Sequence, residues 1–186
     1  MAKISANSAK NRSKTKVVKK QSPWPYIIGA GIIALIALPI IVNAINFARL
    51  PGEFYRSQGN AHVALGTQTP AYRSDPPTSG WHTGELAPWG SHDSLQHDQQ
   101  LVHNMEDGGV ILWYRYGSPE DNEAHIQALE EVARGFRRIV IAPRENMSTT
   151  YTLTAWTRLQ RFDEINTEGM RAFIQAYEGL DHHPRF

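Results

Sequence analysis

The chain of 186 residues contains no cysteine. That excludes structural disulfides, thiolate-held zinc, a thiol nucleophile and a lipid-bearing cysteine anchor. Lysine is also missing beyond Lys20. The first twenty residues carry six Lys and one Arg and no acid, whereas every basic residue from Arg49 onward is Arg and all 18 acidic residues lie there. The formal net charge of +1 therefore hides a basic leader and an acidic body. Nucleic-acid binding needs positive charge clustered on the folded part, so nucleic acid is excluded as a partner. Zinc-type histidine spacing is missing as well: there is no HExxH and no His pair four apart on a helix. Ser79, in PPTSGWH, is not set in the Gly-x-Ser-x-Gly elbow that hydrolytic serines occupy. No internal repeat is present.

What the chain does have begins with residues 1–22, rich in Lys, Ser and Asn, which read as a disordered basic tail. Residues 23–48 read as a membrane anchor. The run from Tyr26 to Ala48 carries no charge and is long enough to span a bilayer with some tilt. Trp24 and Tyr26 are its aromatic interface residues, and Pro39 frees a carbonyl that a neighbouring helix could satisfy. The positive charges precede the span, so the tail is expected in the cytoplasm and the body outside it, on the inner (plasma) membrane. A signal peptide cut near Ala44 is the competing reading, but the leader and the apolar run are both long for one.

Residues 49–100 are broken by Pro and Gly throughout and read as an irregular segment packing on the domain that follows. A long ordered segment of this kind needs something to hold it. Without disulfides, the candidates are a metal, a partner protein, or packing of Trp81 and Trp89. Residues 101–186 alternate more regularly. His103 to Asp107 form a polar cluster that reads as a turn before a strong strand, Val110–Tyr116. Ser118 caps a helix that runs to about Arg134, with Pro119 at its first position. Strands follow over Arg138–Ala142 and Thr149–Leu159, then a helix over Glu164–Gly179. The order implies an α+β domain: a small, mostly antiparallel sheet with two helices on one face.

Within this frame the chemistry-bearing residues are His62, His82 and His103, each beside turn residues, with Met105 and Glu106 next to the last. Imidazole with carboxylate suits zinc, iron or manganese, and imidazole with a thioether suits copper. Met105 in a cysteine-free chain tilts the choice to copper over zinc or iron. Glu106 and Asp107 are adjacent and do not form a paired acid and base.

Three stretches carry a resemblance to a known family: GNAHV (Gly59 to Val63), YRSDPPTSGWH (Tyr72 to His82) and LVHNMEDGG (Leu101 to Gly109). With LTAWTRL (Leu153 to Leu159), the chain over roughly residues 50–180 resembles the bacterial family of domains of unknown function numbered 3105. The resemblance implies the architecture above and points to His62, His82, His103, Asn104 and Glu106 as the shared polar residues. The chain departs from the family pattern at Asp107, where the pattern has His. His92 and His97 are the candidates to supply the lost nitrogen. The expectation is therefore a membrane-anchored domain binding a transition metal, copper first, without catalysis. The alternative is an accessory subunit of a larger membrane complex, with Pro39, Trp81 and Trp89 as interface candidates.

Overall fold

A computed structural model describes residues 24–183, with part of the first helix's side chains left aside. The basic tail expected over 1–22 lies outside the described residues. The chain forms two compact units, Met1–Ala48 and Arg49–Phe186.

The first unit contains helix α1, Trp24–Ala48, with Pro39 inside it. The expected membrane anchor is corrected here. No helix among the described residues is long and apolar enough to cross a membrane. The placement of the tail in the cytoplasm and of the body beyond an inner membrane rested on that anchor and is withdrawn with it.

The second unit is built on a six-stranded mixed sheet in the order β1-β8-β7-β5-β6-β4. The strands are β1 (Glu53–Phe54), β4 (Gly90–Ser91), β5 (Val110–Arg115), β6 (Ile139–Arg144), β7 (Tyr151–Ala155) and β8 (Arg158–Phe162). β6 runs parallel to both β4 and β5, and the remaining pairings are antiparallel. Two further strands, β2 (His62–Val63) and β3 (His82–Thr83), pair in parallel on their own, His62 opposite His82. Helices α2 (Asp98–Glu106), α3 (Pro119–Ala133) and α4 (Thr167–Tyr177) complete the unit.

The central strand shows why the sheet is covered twice. β5 is an unbroken apolar run, Val110 to Tyr114, and all five residues are buried. Alternate side chains of a strand point to opposite faces. Val110, Leu112 and Tyr114 pack with Leu129, Phe173 and Ile174 of α3 and α4. Ile111 and Trp113 pack on the other face with Leu101, Val102 and Met105 of α2, and with Ala87 and Trp156. The helices expected on one face are α3 and α4. The opposite face is covered by α2 and the irregular segment. α3 is capped as expected: Ser118 Oγ accepts from the Asp121 N–H at 3.2 Å, and Pro119 stands first in the helix.

Two local readings are corrected. The run Thr149–Leu159 is not one strand: β7 and β8 form a hairpin turning at Ala155–Arg158, where Thr157 has φ 63°. The polar cluster before β5 is not a turn but the last part of helix α2, in which seven residues from Gln99 to Glu106 are buried. The turn lies just after it, at Gly108 and Gly109. A Cβ on Gly109 would stand 2.5 Å from the Asn104 carbonyl oxygen and 2.8 Å from the Trp89 ring, so no larger residue fits there without rearrangement.

Candidate metal centre

The site starts from Glu106. It lies three positions after His103 on α2, which puts both on one helix face. Although Glu106 is a carboxylate, its side chain is fully buried. Oε1 accepts from Asn60 Nδ2 at 2.8 Å. Oε2 lies 2.9 Å from His82 Nε2, 3.3 Å from His62 Nε2 and 3.5 Å from His183 Nε2. Burial alone would raise the carboxyl's pKa, but the Asn60 amide and the imidazoles of His82 and His183 outweigh it and hold Glu106 below the usual carboxylate range.

The histidines are brought in by backbone. The parallel register of β2 and β3 sets the His62 and His82 rings edge to face, 4.7 Å apart between centroids. His82 arrives on the buried Pro76–Gly80 stretch, and its N–H donates to the Ala61 carbonyl at 3.1 Å. Its Nδ1 stands 2.7 Å from the Gly80 carbonyl, and His103 Nδ1 stands 2.8 Å from the Thr83 carbonyl. A carbonyl only accepts, so both Nδ1 atoms carry a proton, and in the neutral rings both Nε2 atoms keep a lone pair. Burial pushes His82 below the ordinary imidazole value despite the Gly80 carbonyl and Glu106, which favours that neutral form. Fixing a ligand ring through its far nitrogen is how protein metal centres orient histidine.

The ligand atoms of His62, His82, His103 and Glu106 all lie within 4.8 Å of one another, and these four residues could hold a metal ion. His82, His103 and Glu106 are buried, while the His62 side chain is 46 % exposed, so the group opens to solvent on one side. A tetrahedral zinc with bonds of about 2.0–2.1 Å has ligand atoms about 3.3 Å apart, close to the spacings of His62 and His82 from Glu106.

The other expected residues go elsewhere. Met105 is fully buried in the apolar cluster with Leu101 and Trp113. Asn104 clamps a backbone: its amide bonds both the N–H and the carbonyl of Ala87 at 3.0 Å. Ser79 Oγ accepts from the Gln58 N–H. Trp81 and Trp89 are 42 % and 38 % exposed, and Pro39 is exposed on α1. His92 and His97 do not replace the nitrogen missing at position 107. His92 Nε2 bonds the Pro88 carbonyl, and His97 caps α2 by accepting from the Gln99 N–H.

The fourth imidazole at the site is His183, which sequence reasoning passed over. It reaches Glu106, and its Nδ1 lies 2.8 Å from Asp181 Oδ1 and 3.6 Å from Asp107 Oδ1. The Asp181 hydrogen bond, with the nearby carboxylates of Glu106 and Asp107, holds it above the ordinary imidazole value. His103, Asp107 and His183 form a second group able to hold a metal, sharing His103 with the first. The tandem His182–His183 near the chain end was the available signal.

A mixed α+β domain with a His and Glu group able to hold a metal ion is the class that this fold and site define. The family model described as "Protein of unknown function (DUF3105)" matches residues 62–185, and the chain belongs to that family. No curated protein and no solved structure matches the chain.

Proposed function

We propose that this domain binds one divalent first-row transition metal through His62, His82, His103 and Glu106, and that binding rather than turnover is its task. The observation that supports this reading is the direction of the donors. Two buried imidazoles have their far nitrogens occupied by carbonyls, and their remaining lone pairs belong to a cluster built round a buried carboxylate. Two lone pairs 2.9 Å apart, on His82 Nε2 and Glu106 Oε2, repel unless a proton or a cation lies between them.

Three imidazoles and a carboxylate form a borderline donor set that suits zinc, iron and copper(II). The argument for copper over zinc rested on the Met105 thioether, which the apolar core occupies. Copper is retained as the divalent ion: it heads the affinity order for such donors, so in open competition it displaces zinc.

The test uses the full-length chain, stripped with chelator and titrated with zinc and then with copper(II). The expected result is one ion per chain, with binding lost in His82→Ala and in His62→Ala. His62 is exposed, so the second variant separates ligand loss from misfolding. A folded wild-type chain that takes up no stoichiometric zinc or copper at micromolar exposure refutes the proposal.

A further inference from the structure

His183 is held at the site by the contacts of the segment that follows α4. The segment after α4 runs back along the end of α2. Gly179 N–H donates to the Gly108 carbonyl at 2.8 Å, and His182 N–H donates to the Glu106 carbonyl at 2.9 Å. The His182 ring stacks on Trp156, with centroids 5.9 Å apart and planes inclined by 19°. Gly108 leaves room for this: a Cβ there would stand 2.7 Å from Leu180 N and 2.8 Å from the Gly179 carbonyl carbon. The next side chain, His183, turns Nε2 towards Glu106 Oε2 at 3.5 Å and Nδ1 towards Asp181 Oδ1 at 2.8 Å. Its ring centroid lies 6.1 Å from that of His103 and 6.4 Å from that of His62.

His183 thus repeats the arrangement of His82 and His103. The far nitrogen is fixed by an oxygen acceptor, a carboxylate instead of a carbonyl, and Nε2 faces the Glu106 oxygen that His82 also meets. A carboxylate on the far nitrogen raises the basicity of a ligand imidazole. Unlike the other two rings, this one is 39 % exposed and sits on a short strap held by backbone hydrogen bonds.

We infer that His183 is a further ligand of the metal, delivered by the C-terminal strap, with Asp181 orienting its ring and His182 anchoring the strap through its backbone and Trp156. The inference rests on the metal-binding reading above. It implies that metal binding and strap docking are linked, each strengthening the other by the same factor. The imidazole that the family pattern would place at 107 is supplied in this chain from 183, and Asp107 stands beside it.

The full-length protein and its His183→Ala variant are loaded with zinc and, separately, with cobalt(II). Loss of a ligand is expected to weaken zinc binding at least as much as loss of a partner behind a ligand does, about 10- to 100-fold. The visible cobalt bands are expected to change in shape and intensity as the coordination number falls. In the wild type, metal should slow hydrogen exchange at the Gly179 and His182 amides, and in His183→Ala it should not. Asp181→Asn should give an intermediate affinity. Equal zinc affinity and identical cobalt spectra for wild type and His183→Ala overturn this inference while leaving the four-residue site standing. A wild type that binds no metal overturns both. Because the ring is partly exposed and outside the apolar clusters, the variant's fold is verified by its unchanged thermal transition in the metal-free form.

Discussion

His82 Nε2 stands 2.9 Å from Glu106 Oε2, and both side chains are fully buried. The two substitutions at Glu106 therefore separate shape from charge. Glu106→Gln keeps an oxygen and a nitrogen where the carboxylate was, so the metal-free protein should unfold within about 1 kcal/mol of wild type while metal affinity collapses. Glu106→Ala strips the acceptor from Asn60 and leaves buried polar atoms unpaired, a cost of about 1–3 kcal/mol. Thermal denaturation of both variants after chelation, with a zinc titration of each, checks the pair. Equal destabilisation by both would mean that the charge itself holds the fold.

His97 and His92 each bond backbone away from the metal group. His97→Ala removes the side-chain acceptor at the start of α2 and should cost about 1 kcal/mol of stability without moving metal affinity. His92→Ala should change neither. A metal titration in which either variant loses binding would reassign the ligand set.

Gly108 and Gly179 both have positive φ, at 78° and 83°, but differ in surroundings. A Cβ at Gly179 meets nothing within 4 Å, whereas one at Gly108 runs into the backbone of Gly179 and Leu180. Gly179→Ala should cost only the left-handed backbone term, about 1–2 kcal/mol. Gly108→Ala should cost more and release the strap, seen as faster hydrogen exchange at the His182 amide. Equal losses in the two variants would show that the close approach at Gly108 is unimportant.

His125 supplies the pH dependence away from the metal group. It lies on α3 with Nδ1 2.8 Å from the Tyr151 hydroxyl, and burial pushes its pKa below the ordinary imidazole value of 6.5. The unfolded chain therefore binds more protons than the folded one between the two values, and stability rises with pH across that window. His125 favours folding fully above about pH 6.5. This advantage is lost as the pH falls through the depressed folded-state value. Denaturant unfolding of wild type and His125→Gln between pH 7 and pH 5 should show a shallower acid loss in the variant. Parallel curves would remove His125 as a source of the slope.

Much of the body could be read from its residues because local chemistry and tertiary structure agree there. The continuous apolar run of β5 and the Ser118–Pro119 start of α3 are examples. Helix α2 has no clear sequence signature because its seam is polar: His103 and Glu106 are buried beside the site rather than in an apolar core, so hydrophobic periodicity is blurred. The β7–β8 hairpin looks like one strand in the sequence because its turn carries Thr157 in a left-handed conformation, where Gly or Asn is the usual signal. His62, His82, His103 and Glu106 all stand in the family motifs, whereas Met105 is suggested by its thioether and by adjacency to Glu106. One residue along a helix is a turn of 100°, enough to move Met105 off the Glu106 face and into the core. The tandem His182–His183 is the only local sign of His183, and it does not point to a partner 77 positions earlier in the chain.

The Glu106 carboxylate has a topological consequence for a chain with no cysteine. Asn60, His62 and His82 meet it across 46, 44 and 24 residues of chain, so one side chain cross-links separate loops as a set of disulfides would. Closing a flexible loop twice as long costs only about 0.6 kcal/mol more. Extra residues inserted after the exposed Gln68 should therefore leave the knot tied. One residue inserted between Gly80 and His82 would shift the pairing with His62 by one place and turn the ring to the opposite face, untying it.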